Sequence, residues 1–192
     1  MQTRIKICGV TRIEDATTAA LAGADAIGFV FYRNSPRFID PQQAKQIAAA
    51  IPPFVSTVGL FVDAPVEEVE ASVSAFHVDY LQFHGDEPPD YCSQFGMPFL
   101  KAIRVRPGLD LLQYAADFTA ARALLLDAFV EGVPGGTGLA FDWRLIPKNL
   151  PLPIILSGGL SPDNITGAVR EIRPWAVDVS SGVEADKGIK DL

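Results

Sequence analysis

The sequence predicts an α/β protein, a single (β/α)8 barrel domain over residues 1–192. Three observations carry this. Eight short β-rich runs alternate with Ala-rich or amphipathic runs, no stretch rich in Gly, Ser or Pro divides the chain, and polar or reactive side chains recur where the β-rich runs end. Strands alternating with helices argue for a parallel sheet covered by helices. Eight such units in one domain point to a closed barrel, although 192 residues is short for it. An open doubly wound sheet is the structural alternative, and the strand ends favour the barrel.

The strands read in order as 4–8 "RIKIC", 25–31 "DAIGFVF", 55–62 "VSTVGLFV", 79–83 "DYLQF", 98–104 "PFLKAIR", 122–127 "RALLLD", 153–157 "PIILS" and 175–180 "WAVDVS". Between the first two lies "TRIEDATTAALAGA", where Thr11 and Glu14 have the spacing of a capping box and Gly23 lies past the end. "DPQQAKQIAAAI" follows, with Asp40 as cap and Pro41 at the first helical position. "APVEEVEASVSAF", a short "EPPDYCSQF", "GLDLLQYAADF" and a short "AFDWRLI" supply the next helices. "SPDNITGAVREI" is the last, with Ser161 as cap and Pro162 at the first helical position. After strand eight the chain reads "SGVEADKGIKDL", which holds no legible eighth helix, so a final covering helix is expected to be missing.

Composition narrows the function. A 48% hydrophobic chain of this length suits one domain with a sizeable core. A net charge of −7 argues against a nucleic-acid or anionic-membrane surface, but not against a small anionic substrate held by a local cluster of donors. Two cysteines without CxxC spacing and only two histidines make a structural zinc site or a disulfide framework improbable. No run approaches the length of a membrane span and no signal-peptide core opens the chain, so the expected location is cytoplasmic.

Active sites of (β/α)8 barrels form at the C-terminal strand ends. There the sequence places Cys8, Arg33 and Arg37 in "YRNSPR", Asp63, His84, Arg104, Asp127, "SGG" 157–159 and "SSG" 180–182. Gly158 and Gly159 lie before a Ser-Pro helix start, and Ser180, Ser181 and Gly182 follow the next strand. Glycines let backbone amides approach an anion, so two such turns on adjacent strands favour a phosphorylated ligand over plain tight turns. Cys8 is either core filler or a reactive thiol. Asp127 is either a cap or salt-bridge partner, or a proton carrier. On strands one and six the two would face a substrate from two sides, as proton removal and donation require. Cys92 reads as packing, and Phe29, Phe31 and Phe83 as core. Arg37 is either a carboxylate clamp or a salt-bridge partner. His84 either lines the site as a neutral imidazole or hydrogen-bonds a loop. "VEGVPGGTG", with Gly135, Gly136, Thr137 and Gly138, reads as a flexible connection or a lid beside Asp127.

The motifs "KICGVT", "GFVF…SPR", "VGLFVD", "LQFHGDE", "LLLDA…PGGTGLAFDW", "LSGGLSPDNI" and "AVDVSSGVE…KGIKD" occur in one order from residue 4 onward. Together they resemble the phosphoribosylanthranilate isomerase family of tryptophan biosynthesis. The resemblance implies a (β/α)8 barrel performing an Amadori rearrangement without metal or organic cofactor, as a monomer or homodimer acting on a small phosphorylated substrate. It implies Cys8 as general base, Asp127 as general acid and Arg37 on the anthranilate carboxylate. Gly158, Gly159, Ser180, Ser181 and Gly182 would hold the phosphate, with Asp178 near that end. The chemistry leads to the expectation that the site lowers the pKa of Cys8 and raises that of Asp127. Family members usually continue past "GIKD" into a helix over strands eight and one. Two other enzyme readings are the related isomerase of histidine biosynthesis, against which Cys8 counts, and the α-subunit of tryptophan synthase. A non-catalytic phosphate-binding barrel is the reading from another class.

Overall fold

The computed structural model describes residues 2–128 and 142–191. Eight parallel strands form the wall: β1 (Arg4–Cys8), β2 (Ala26–Val30), β3 (Ser56–Phe61), β4 (Tyr80–Phe83), β5 (Phe99–Val105), β6 (Ala123–Ala128), β7 (Ile154–Leu156) and β8 (Ala176–Val179). They pair in chain order, and β1 pairs with β8 to close the barrel, so the open sheet is excluded. The helices are α1 (Ile13–Leu21), α2 (Pro41–Ala48), α3 (Val66–Ala75), α4 (Pro89–Ser93), α5 (Leu111–Asp117) and α6 (Ile165–Ile172).

Side chains of a strand alternate between its two faces, and this period decides what reaches the interior. Outward residues such as Ile27, Phe29, Phe61, Leu81, Phe83, Leu124 and Leu126 pack under the helices in the main core. Phe83 is the hub of an aromatic group, with Tyr91, Phe95 and Phe99 at centroid distances of 5.6, 5.7 and 5.9 Å. Full burial of a side chain of this size is worth about 1.5–3 kcal/mol. Phe29, Phe31 and Phe83 are thus core residues, and Cys92 is buried packing, as expected. The inward set includes Val58, Leu100, Ala102, Leu125 and Ile155, which plug the barrel. The inward register of β1 carries Lys6 and Cys8. In β4 and the residue after it, the same register carries Gln82 and His84.

Three local expectations are corrected. Thr11 and Glu14 do not form a capping box: Arg12 is the N-cap of α1 without a side-chain cap, and the Thr11 hydroxyl donates to the carbonyl of Gly188. Ser161 and Pro162 form a turn ahead of α6. Its N-cap is Asn164, whose side chain accepts from the Ser161 amide and donates to the Gly159 carbonyl, at 2.9 and 2.7 Å. The short helix at "AFDWRLI" is a single 3-10 turn, Trp143–Leu145, capped by Asp142. The cap of α2 is as read, with Asp40 accepting from Gln42 and Pro41 at the helix start.

Among the described residues no helix follows β8. The tail makes a 3-10 turn and then a two-stranded antiparallel ribbon, β9 (Glu184–Asp186) and β10 (Ile189–Lys190). The ribbon folds back over the start of the chain: the backbone amide of Lys190 donates to Asp15, and Thr11 reaches Gly188.

Candidate active site

A cavity of about 230 Å³ opens at the C-terminal ends of the strands. Cys8, Arg37, His84, Asp127, Gly158, Gly159, Asp178, Ser180 and Ser181 all line it. The strand-end register thus brings together nearly every residue singled out in the sequence. Arg33 and Asp63 do not line it, and Arg104 pairs with Asp86 at 2.7 Å. Gly135, Gly136, Thr137 and Gly138 lie outside the described residues. Gly182 does not line the cavity. A side chain there would run into the backbone carbonyl of Leu160, so this glycine lets the turns after β7 and β8 touch.

Cys8 ends β1, and its inward neighbour two residues earlier is Lys6. Gly28 on the adjoining strand leaves the room: a Cβ there would lie 2.9 Å from the Cys8 sulfur and 3.1 Å from Lys6 Cε. Gly9, at φ +72°, turns the chain directly behind the thiol, and a side chain on it would clash with Arg37. The turn does not leave the thiol open to solvent. Cys8 is 5% exposed and packs with Val30 and Leu60 at the cavity wall. Lys6 Nζ donates to Asp178 Oδ1 at 2.8 Å, an ion pair buried on both sides.

The electrostatics reverse one expectation. Burial pushes the Cys8 thiol above its ordinary range; the Lys6 ammonium pulls it back, Asp178 pushes it up again, and Lys190 lowers it. The net direction is upward, not downward, because desolvation of a thiolate outweighs the nearby ammonium groups.

Asp127 ends the inward register of β6. Its Oδ1 accepts from the Ala128 amide at 2.8 Å, and its Oδ2 meets His84 Nε2 at 3.0 Å. Gln82, fully buried one layer down, meets His84 Nδ1 through its amide nitrogen at 2.9 Å. Gly158 is essential to this packing, since a Cβ would stand 2.6 Å from both Asp127 Oδ1 and the Ala128 nitrogen. Gly158 and Gly159 both adopt left-handed backbone, at φ +82° and +64°. The Ser180 hydroxyl is buried at the cavity without a partner among the described residues.

Arg37 is held by Glu184, a residue the sequence reading missed. Its Nε and Nη2 donate to the two carboxylate oxygens, both at 2.7 Å. Lys190 was missed as well. Its buried ammonium donates to Glu184 Oε1, the Cys8 carbonyl and the Ser180 carbonyl at 2.9, 2.7 and 3.2 Å. The terminal ribbon therefore ties β1, β8 and Arg37 together. Only the "VE…GIK" ending could have signalled this, and nothing local says which strands it meets. Burial raises the Glu184 carboxyl, but bonds from Arg37 and Lys190 outweigh it and hold it below the ordinary range. The folded value being depressed, this clasp contributes stability above the unfolded glutamate pKa of about 4.3 and loses it as pH falls through the folded value. Unfolding free energy measured by urea should therefore fall more steeply below about pH 4 in the parent than in Glu184→Gln. Equal slopes would mean that the clasp is not coupled to folding.

Fold and cavity together define a (β/α)8-barrel enzyme with its polar chemistry at the C-terminal mouth. Residues 5–192 match the family of N-(5'-phosphoribosyl)anthranilate isomerase. The isomerase of Thiobacillus denitrificans is 61% identical over 191 residues, covering 100% of this chain and 93% of the relative. Two solved structures superimpose closely. One is a phosphoribosylanthranilate isomerase in complex with reduced 1-(o-carboxyphenylamino)-1-deoxyribulose 5-phosphate, with a TM-score of 0.87 and 39% identity over 99% of this chain and 93% of that one. The other shows monomers generated from the dimeric enzyme of Thermotoga maritima, with a TM-score of 0.86 and 37% identity over the same shares, 99% and 93%. The chain belongs to the phosphoribosylanthranilate isomerase family, isomerases of tryptophan biosynthesis. Among the described residues no helix is long and apolar enough to cross a membrane.

Proposed function

We propose that the protein converts N-(5-phosphoribosyl)anthranilate to 1-(2-carboxyphenylamino)-1-deoxyribulose 5-phosphate, with Cys8 as general base and Asp127 as general acid. One observation carries the assignment of roles: a thiol from β1 and a histidine-bonded carboxyl from β6 line the same cavity beside glycine turns. The competent state is a thiolate facing a carboxylic acid. Asp127 gives its proton to the ribose ring oxygen as the C1–O bond breaks, and the anthranilate nitrogen supplies electrons to form an iminium. Cys8 takes the C2 proton, and the C2–H electrons neutralise the iminium to an enolamine. Tautomerisation of the enolamine gives the ketone. All electrons stay within the substrate, so no redox partner enters. The iminium adds a positive charge to that of Lys6 and favours the thiolate where it is needed.

Gly158, Gly159, Ser180 and Ser181 form the phosphate end, supported by the two left-handed glycines and the unpartnered Ser180 hydroxyl, while Gly182 acts only by letting the two turns meet. Arg37 meets the anthranilate carboxylate. Glu184 takes its Nε–Nη2 edge, which leaves the Nη1–Nη2 edge for a second carboxylate. We read the location as cytoplasmic and the assembly as a monomer or homodimer.

The direct test follows the anthranilate fluorescence of freshly prepared phosphoribosylanthranilate. Catalysed loss of signal supports the reading, and its absence with a folded protein refutes it. In the same assay Arg37→Ala should raise KM at least about tenfold with a smaller change in kcat, as loss of a charge-assisted pair requires. An unchanged KM would mean that the carboxylate is held elsewhere.

A further inference from the structure

We propose that Gln82 is a positioning residue whose amide reverses with the tautomer of His84 as Asp127 gives up and regains its proton. This rests on the reading of Asp127 as the general acid. The three side chains form one line into the cavity: the Gln82 amide meets His84 Nδ1 at 2.9 Å, and His84 Nε2 meets Asp127 Oδ2 at 3.0 Å. Gln82 is wholly buried and His84 and Asp127 nearly so, so water does not substitute freely for any link.

A primary amide carries a donor at one end and an acceptor at the other. With its NH2 toward the ring, Nδ1 is the acceptor, the ring proton sits on Nε2, and Nε2–H donates to a carboxylate. With its carbonyl toward the ring, Nδ1–H donates to the amide and Nε2 is free to accept from a protonated Asp127. The second pattern holds one proton more than the first. The same proton count with the proton moved along the bond gives an imidazolium beside a carboxylate. The first arrangement suits Asp127 after it has given up its proton, and the second suits it before.

What makes the amide a two-way element is its far end. With the amide nitrogen on His84, the Gln82 carbonyl oxygen is buried without a partner among the described residues. Reversal exchanges the two ends and places the amide nitrogen where that oxygen was. In the observed orientation the amide makes no second side-chain hydrogen bond among the described residues, so it is free to follow the ring. The other charged groups of the region are engaged elsewhere: Arg104, opposite Asp127 across the β5–β6 ladder, pairs with Asp86, and Asp178 pairs with Lys6. Glutamine is the side chain this position requires. An ionised glutamate of the same shape offers only acceptors and holds the proton on Nδ1.

The test combines ring nitrogen NMR with kinetics on the full chain. The only other histidine, His77, is exposed, so a His77→Gln variant assigns the His84 signals. In the parent at neutral pH, His84 should show a bare Nδ1 and a protonated Nε2. In Gln82→Glu, Nδ1 should be protonated and kcat should fall more than about tenfold with KM within about threefold. A tautomer unchanged by Gln82→Glu, or turnover at the parental rate, overturns the proposal. Asp127→Asn separates the two levels. An inactive Asp127→Asn beside a fully active Gln82→Glu sinks the role of Gln82 alone, whereas an active Asp127→Asn sinks the acid assignment itself. Should Gln82→Glu fail to fold, Gln82→Met serves, with loss of the Nδ1 hydrogen-bond signature and the same fall in kcat as the expected result.

Discussion

Cys8→Ala is expected to lower kcat by at least about a hundredfold while the barrel stays folded and KM stays nearly constant. The thiol sits at the end of β1 against Val30 and Leu60, so removing one sulfur atom leaves a small cavity beside an opening that already exists. The ion pair and the clasp beneath it do not use the sulfur: Lys6 bonds Asp178, and Lys190 bonds the Cys8 carbonyl. What is lost is the group that accepts the C2 proton, a role worth on the order of 10²–10⁴ in rate. Asp127→Asn should cost at least as much. The single amide oxygen can keep only one of the bonds to the Ala128 amide and His84, and the amide N–H is far too weak an acid to protonate the ring oxygen. Circular-dichroism melts establish that each variant folds, and the fluorescence assay gives the kinetics. Near-parental turnover in either folded variant removes that residue from the mechanism.

All eight strands were legible because a parallel strand is buried on both faces and reads as a short apolar run between turn signals. The inward alternation then put Cys8, His84 and Asp127 at one mouth without any need for long-range information. The Asp40-Pro41 cap was legible for the same reason, being complete within three residues. The failures are long-range. Thr11 has the spacing of a cap, but the ribbon 177 residues later offers its hydroxyl another acceptor. Ser161 is displaced as a cap because Asn164 binds back to it and to Gly159 at once. Glu184 and Lys190 are two more charged residues in a polar tail until barrel closure sets Lys190 against the Cys8 carbonyl, 182 positions away. The upward shift of the Cys8 thiol also belongs to this class. The chemistry required a thiolate, whereas the apolar neighbours that oppose it come from β2 and from β3.

Lys6→Met should destabilise the protein by about 3–5 kcal/mol, the usual consequence of leaving a buried charge without its partner. Lys6 and Asp178 are exposed by only 4% and 6% at their side chains, and the 2.8 Å bond between them crosses the β1–β8 seam that closes the barrel. Burial lowers the Lys6 pKa, but the charges of Asp178 and Cys8 outweigh it and hold the ammonium above its ordinary range. A lysine raised in the folded state contributes stability that is fully present below the unfolded value of about 10.4 and is lost as pH rises through the folded value. Urea unfolding of parent and variant should therefore differ most at neutral pH and converge only above about pH 10.4. The double variant Lys6→Met, Asp178→Asn should recover part of the loss, because it leaves no uncompensated charge. The same ammonium lowers the Cys8 thiol, so iodoacetamide should alkylate Cys8 more slowly in Lys6→Met than in the parent, with both proteins folded. Cys92, buried and pushed up to about 12, contributes little to that reaction at neutral pH. If stability falls but alkylation is unchanged, Lys6 only fastens the barrel seam; if both fall, the lysine that closes the barrel also prepares its thiol.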